Sequence, residues 1–419
     1  MKNVEKRTAK GKAKERAKVT LSALKEAKDL DVRVNLIQSL IPLGLKAVED
    51  ELQQEVLSLA GSRYERGSAL SRWGSNPGSV YLGDQKVRVT VPRVRNRFTQ
   101  EEVRLESYQA LQNPSTINDL ALHRVLHGLS TRKYEKAALS VPETFGISKS
   151  SVSRKFIEAS AEQLKAFQER SLETHDIVAI FMDGKHFGNS ELLIAMGVTL
   201  TGEKVILGFI ESSTENHGVC RDFLQGLQKR GLTKNHPLLF IIDGAKGLKK
   251  GIQEVFGDQA FIQRCQWHKR ENILSYLPKS QQELFRKKLQ KAYQNPDYDE
   301  AKKQLLAIAK ELQPVNLSAV TSLKEGMEET LTLQKLGLFS QLGTSLKTTN
   351  CIESINSSIQ GYTQRVRYWK NSSQKQRWVA TALLEIETKL RRVKGFRYLK
   401  MLRQNMKTEI ETQSLQTVE

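Results

Sequence analysis

The sequence predicts a mixed α/β core with an all-helical insertion, preceded by helical units and a β-hairpin. Three observations carry this reading. From about Asp176 to Cys265, apolar runs of strand length alternate with amphipathic helical stretches. From His268 to about Leu342 the chain is charged and helical, without strand texture. Ahead of the core, a helical stripe at Leu45, Val48, Leu52, Val56 and Leu59 gives way to period-two alternation at Val87, Val89 and Val91.

The 419 residues suggest several units at roughly 100–200 residues each. The apolar fraction is an ordinary 39%, and no apolar run approaches the roughly 20 residues that span a bilayer. Charge at Lys2, Glu5, Lys6 and Arg7 with no apolar run behind it does not resemble a secretory signal. Cys220, Cys265 and Cys351 are too few and too odd in number for a disulfide framework, so a reducing, cytoplasmic setting without membrane is expected. The net charge of +20 favours a polyanionic partner. A generically basic surface is the bland alternative. From Lys389 to Lys407 eight cations run without an acidic residue, and Arg365, Arg367, Lys370, Lys375 and Arg377 interleave with Tyr368, Trp369 and Trp378. Cations for phosphates beside flat rings for bases are what nucleic-acid grooves use. Trp378 reads better as a core residue.

In chain order the textures divide at 1-60 (a basic arm and a helical unit ended by Gly61), 61-111, 112-171, 172-267, 268-345 and 346-419. In the second segment, Trp73 to Gly78 reads as a turn, Gly83-Asp84 as a hairpin tip, and Pro92 as the end or the edge of a strand. The stripe from Leu45 to Leu59 suits an internal core or a dimer contact. In the third, a helix, the glycine-bearing turn Thr144-Phe145-Gly146-Ile147 and a second helix opened by Ser148 fit a helix-turn-helix. It would offer Lys149, Ser150, Ser151, Ser153 and Arg154 to a major groove. An ordinary helical hairpin is the alternative.

In the fourth segment, strands Ile177–Met182, Leu192–Leu200 and Val205–Ile210 precede a helix over Asn216–Arg230. A strand at Pro237–Ile242, a helix around Leu248 and Phe256, and a strand at Phe261–Cys265 follow. This is the element order of a ribonuclease-H-like (retroviral-integrase-like) sheet. Asp183 and Asp243 end the first and fourth strands. Each alone reads as an Asp-Gly turn. Together, on strands that neighbour each other in such a sheet, they would converge, and paired carboxylates in a basic protein suit hard Mg²⁺ or Mn²⁺. Glu353 is the candidate third ligand, on a helix whose buried stripe is Ile352, Ile355 and Ile359, with Asn356 beside it at i, i+3. With Asn350 as N-cap, Glu353 would instead complete a capping box.

Four blocks carry a wider resemblance: Asp183-Gly184-Lys185, Ile242-Asp243-Gly244-Ala245, Arg264-Cys265-Gln266-Trp267-His268-Lys269, and Thr349-Asn350-Cys351-Ile352-Glu353-Ser354-Ile355-Asn356. In order and spacing they resemble the signature blocks of mutator-type DDE transposases of bacterial insertion sequences, from about Ala60 to Met406. The resemblance implies an Asp-Asp-Glu triad on Asp183, Asp243 and Glu353. It implies two Mg²⁺ (or Mn²⁺) ions per site, with water and then a DNA 3′-hydroxyl as nucleophile. The substrates would be double-stranded DNA bearing terminal inverted repeats, and target DNA, bound by a homodimer at the bacterial nucleoid. DNA contacts are expected at Lys185, Arg365, Arg367, Tyr368, Trp369 and Lys370 besides the helix-turn-helix. Cys265 and His268 resemble the family's Cys-x-x-His element, for which a structural or DNA-positioning role is favoured over zinc; Asn350 and Asn356 join them as accessory residues. His186 reads as a surface or supporting residue. An inactive or domesticated relative acting as a sequence-specific DNA-binding regulator, and a junction-selective nuclease on the same fold, are the competing readings.

Overall fold

The computed structural model describes residues 30–63, 69–82, 85–112, 122, 125–127, 144–145, 149–188, 190–212, 216–233, 235–364 and 366–416. The chain falls into two compact units, Met1–Ala159 and Ser160–Glu419. The expected basic arm, the Gly83-Asp84 hairpin tip, most of the first helix of the expected helix-turn-helix, Gly146-Ile147 of its turn, and Arg365 lie outside the described residues; Thr144-Phe145, expected in that turn, are strand instead, drawn into the ladder by the hairpin.

In the first unit, α1 (Leu30–Ala60) buries Val48, Leu52, Val56 and Ala60 against Val80, Val89, Val94 and Leu105. The apolar stripe therefore serves an internal core rather than a dimer contact. Strands β1 (Leu70–Leu82) and β2 (Gln85–Asn96) form an antiparallel hairpin from Leu70↔Asn96 to Leu82↔Gln85. The segment Trp73 to Gly78, expected as a turn, is strand. Its register shifts between Arg72 and Ser75, where Gly74 takes φ +76°. A bulge absorbs the turn-forming residues without ending the pairing. Pro92 does not end its strand either: it faces Ser75 beside the shift. Beyond β2, β3 (Glu102–Val103) and β4 (Thr144–Phe145) pair only at Val94–Arg95 and Lys86–Val87, so no neighbour there needs the N–H that proline lacks. Helix α2 (Glu106–Gln112) is capped by α1, since the Glu55 carboxylate accepts from the backbone N–H of Glu106 (2.6 Å) and Ser107 (3.1 Å). Helix α3 (Lys149–Glu169) begins in this unit and buries Val152 and Phe156.

The second unit is built on a five-stranded sheet. Strands β5 (Ile177–Phe187), β6 (Ser190–Thr199) and β7 (Lys204–Ser212) form an antiparallel meander. Helix α4 (His217–Lys229), N-capped by Asn216, leads to β8 (Leu238–Ile242). Helix α5 (Lys246–Phe256) then leads to β9 (Ala260–Arg264). The order is β7-β6-β5-β8-β9, with β8 parallel to β5 and β9 parallel to β8. Five helices follow: α6 (Gln266–Ser275), α7 (Lys279–Gln294), α8 (Tyr298–Leu312), α9 (Leu317–Lys324) and α10 (Met327–Thr330). They enclose a core of their own around Leu289, Leu305 and Leu323. The chain returns through α11 (Thr332–Lys335), α12 (Phe339–Leu346), α13 (Asn350–Thr363), α14 (Ser372–Glu387) and α15 (Leu399–Gln416).

Side chains alternate across the strands and split the core in two. Phe181, Ile194, Leu239 and Ile241 pack with Ile352, Ile355 and Ile359 of α13 and with Leu383 and Leu402. Ile180, Met182, Phe240 and Ile242 pack with Leu224, Leu248 and Ile252 on the other face. Each large apolar side chain so buried contributes about 1.5–3 kcal/mol. Among the described residues, no helix is long and apolar enough to cross a membrane.

Candidate active site

The sheet register places the two aspartates. Strands β5 and β8 pair as Ala179↔Leu239, Ile180↔Phe240 and Phe181↔Ile241. Asp183 lies two residues along β5 from the last of these pairs and Asp243 follows the last residue of β8, so both stand at the same end of neighbouring strands. Phe181 packs in the core shared with α13, and a period of two brings Asp183 to that side. Asp183 is buried, at 8% exposure. Asp243 lies past the strand end, where its Oδ1 accepts from the backbone N–H of Ala245 at 2.9 Å.

Helix α13 supplies the rest. Asn356, buried, donates from Nδ2 to Asp183 Oδ2 at 3.2 Å, while its own buried Oδ1 has no hydrogen-bond partner. Lys185 reaches the same helix, with Nζ 3.5 Å from both the Asn356 carbonyl oxygen and Gln360 Oε1. The N-cap is Thr349, one residue ahead of the expected Asn350, and it makes no side-chain capping bond to the backbone. Glu353 therefore does not sit where a capping box needs it. Thr349 instead gathers the accessory pair: its hydroxyl donates to Glu353 Oε1 (2.9 Å) and lies 3.3 Å from His268 Nδ1 and 3.4 Å from Cys265 Sγ. His268 Nε2 stands 3.9 Å from Glu353 Oε1. With Glu353 held this way, no three His, Cys, Asp or Glu side chains stand together as a ligand set for one cation among the described residues.

The pair is polarised. The hydrogen bond to Cys265 pushes the His268 pKa up to about 9 against the opposing effect of burial, with the charges of Cys265, Glu353 and Asp183 adding to it. Burial alone would raise the Cys265 thiol, but hydrogen bonds with His268 and Thr349 outweigh it and hold the thiol below its ordinary value. Taken alone, the raised imidazole contributes stability that is complete below pH 6.5 and lost as pH rises through about 9; the lowered thiol contributes with the opposite sign, its share present above its ordinary value and lost as pH falls, so the two oppose each other across that window.

Behind Asp243 the sheet is latched to the helical insertion. Arg264, 7% exposed, reaches the Glu325 carbonyl oxygen and carboxylate, each at 3.3 Å. Lys269, fully buried, bonds the same Glu325 through its carbonyl oxygen and its carboxylate. Burial, reinforced by Arg264, pulls the Lys269 pKa down to about 8. Neither Arg264 nor Thr349 draws attention as a site residue in the sequence. For Thr349 the available signal is its spacing of four from Glu353, one helical turn.

The expected DNA-contacting residues fare unequally. Ser150, Ser153 and Arg154 are exposed on α3 and Ser151 is half-buried, while the Lys149 side chain lies outside the described residues. Arg367 and Lys370 are exposed, and Tyr368 is 74% exposed. Trp369, by contrast, packs on Phe187 with ring centroids 5.0 Å apart and closes on Gly188, so its ring is part of the fold rather than a free stacking surface. Trp378 is half-buried, near the core role expected of it. The basic C-terminal run is also partly structural: Arg403 is buried and joins Asp176 (2.6 Å) and the Ile177 carbonyl oxygen (2.7 Å), and Arg392 pairs with Glu203 at 2.8 Å. His186 is exposed, 3.7 Å from Glu191.

Known proteins resemble this chain along most of its length. The transposase for insertion sequence element ISRM5 of Rhizobium meliloti (strain 1021) is 30% identical over 380 residues, covering 86% of this chain and 91% of that protein. The transposase for insertion sequence element IS256 in transposon Tn4001 of Staphylococcus aureus is 28% identical over 315 residues, 72% of this chain and 77% of that one. The transposase for insertion sequence element IS905 of Lactococcus lactis subsp. lactis (strain IL1403) is 26% identical over 360 residues, with 80% and 85% covered. The Mutator family of transposases matches residues 13–392, a span that includes the paired aspartates, the Cys-x-x-His element and the Glu353 helix, and the chain belongs to that family.

Proposed function

We propose that the chain is a DDE-type insertion-sequence transposase that binds terminal inverted repeats and catalyses metal-dependent strand cleavage and strand transfer on DNA. The observation that carries this is that the parallel strands β5 and β8 bring Asp183 and Asp243 to one end of the sheet, where Asn356 of the helix bearing Glu353 bonds Asp183. Support for the fold reading comes from the strand order β7-β6-β5-β8-β9, a meander followed by parallel strands, which is that of a ribonuclease-H-like sheet.

Asp183, Asp243 and Glu353 would hold two Mg²⁺ or Mn²⁺ ions, which supply activation of the attacking oxygen and stabilisation of the leaving one. The donor set suits hard cations, and the buried, unpartnered Asn356 Oδ1 beside Asp183 adds a further oxygen to that environment. Thr349 donates to Glu353 Oε1, and His268 Nε2 stands 3.9 Å from the same oxygen. Asn356 meanwhile fixes one oxygen of Asp183. No covalent link between protein and DNA is needed: a water oxygen displaces a 3′-oxygen, and the freed 3′-hydroxyl then attacks a target phosphodiester. Residues of α3, the 365–370 loop and Lys185 would hold the DNA, and a homodimer would bring two ends together.

The test is Mg²⁺- or Mn²⁺-dependent cleavage and joining of DNA carrying the flanking inverted repeats, with Asp243→Ala beside the wild type. Activity confined to the wild type supports a metal-dependent transposase. Tight, sequence-specific binding by both proteins with cleavage by neither would point to a DNA-binding regulator.

A further inference from the structure

Away from the paired aspartates, a cavity of about 350 Å³ opens in the first unit, lined by cations from two elements. Lys86 comes from β2 and sits directly across the ladder from Tyr81 of β1; Arg154 and Lys155 come from α3. The lysine Nζ atoms of Lys86 and Lys155 lie 5.7 and 5.3 Å from the centroid of the same Tyr81 ring. Three cations thus meet around one phenol, and among the described residues that line the cavity Glu158 is the carboxylate. Burial holds the Lys155 pKa below its ordinary value, with Glu158 opposing and Arg154 adding a smaller effect. The remaining wall offers the hydroxyls of Tyr81 and Ser151, which can donate to an oxyanion.

A phosphodiester has two oxygens sharing one charge, which fit cations and hydroxyls together. We infer that this cavity seats one backbone phosphodiester of duplex DNA, gripped by Lys86, Arg154 and Lys155 without regard to base sequence. The inference rests on the transposase reading for its ligand, and it changes the role of one residue. Arg154, expected at a base edge, becomes a phosphate contact that sets the register of α3 on the duplex.

Binding of the full-length protein to two short duplexes, one carrying the element end and one scrambled, measured over a range of salt, tests this. Lys86→Gln with Lys155→Gln is expected to weaken both complexes by a similar factor, about tenfold. It should also make the slope of log affinity against log salt shallower by about 1–2. Lys86→Arg with Lys155→Arg should restore both, which separates lost charge from lost folding. An unchanged slope, or a loss confined to the end sequence, would overturn the seat. So would inorganic phosphate alone raising the melting temperature of the wild type but not of the Gln variant, with duplex binding untouched, since the site would then serve free phosphate. Failure of the transposase reading looks different: the wild type would bind DNA without cutting it, whatever the salt slope of the variants.

Discussion

Asp183→Asn, Asp243→Asn and Glu353→Gln are each expected to lower strand cleavage by about 10³-fold or more while leaving duplex affinity within a few-fold. Each substitution keeps the volume and removes one negative charge. In a chain of net charge +20 that binds a polyanion, losing a carboxylate cannot weaken the electrostatic attraction; affinity should hold or rise slightly. The loss falls instead on cation binding. An amide oxygen still ligates but no longer balances charge, and the neighbouring carboxylate then faces the cation alone. On the proposed triad the three groups act as a unit, so a double variant should be little worse than the worst single one. Single-turnover cleavage gives the rates, and Mn²⁺ binding followed by electron paramagnetic resonance gives a reading independent of activity. A variant that cuts within about tenfold of the wild type would remove its residue from the triad.

Much of the second unit was legible because its signals are local. Runs such as Ile177–Met182 and Leu238–Ile242 are buried on both sides, so they appear in the sequence as continuous apolar stretches, and the Asp that ends each run is visible with it. What is not local was missed. Trp73 to Gly78 has turn composition, but the hairpin partner keeps it in the ladder through a bulge. Trp369 and Arg403 sit in basic stretches that suggest DNA, yet Phe187 claims the first and Asp176 the second, both distant in sequence. Around Glu353, spacing left a capping box and a ligand as equals. The helix start at Thr349 removes the box, and a tertiary hydrogen bond from Asn356 to Asp183 ties the helix to the strand, which no periodicity reveals.

The latch behind Asp243 carries the second large expected effect. Gly244 has φ +105°, and a Cβ built there would lie 2.0 Å from Arg264 Nε and 2.5 Å from its Cζ. An arginine tip in solvent would swing aside, but this one is buried, bonded to Glu325, and closed on its far side by Gly326, whose own Cβ position lies 2.7 Å from Arg264 Nη1. Gly244→Ala must therefore change the backbone next to Asp243, push Arg264 off Glu325, or both. The positive φ costs an alanine about 1–2 kcal/mol and overpacking about 1–3 kcal/mol, so a loss of about 2–5 kcal/mol is expected. At about 2–4 °C per kcal/mol for a unit of this size, the melting temperature should fall by about 4–20 °C. Cleavage should also fall at temperatures where the variant remains folded, because the residue after Asp243 has moved while both carboxylates are intact. Pairing Gly244→Ala with Arg264→Ala removes the clash but keeps the backbone strain, so the double variant should lose less stability than the sum of the two single changes. Strict additivity would mean that Arg264 does not constrain Gly244. A melting temperature unchanged by Gly244→Ala would mean that the turn after β8 tolerates a side chain, and the latch would then have no part in holding Asp243.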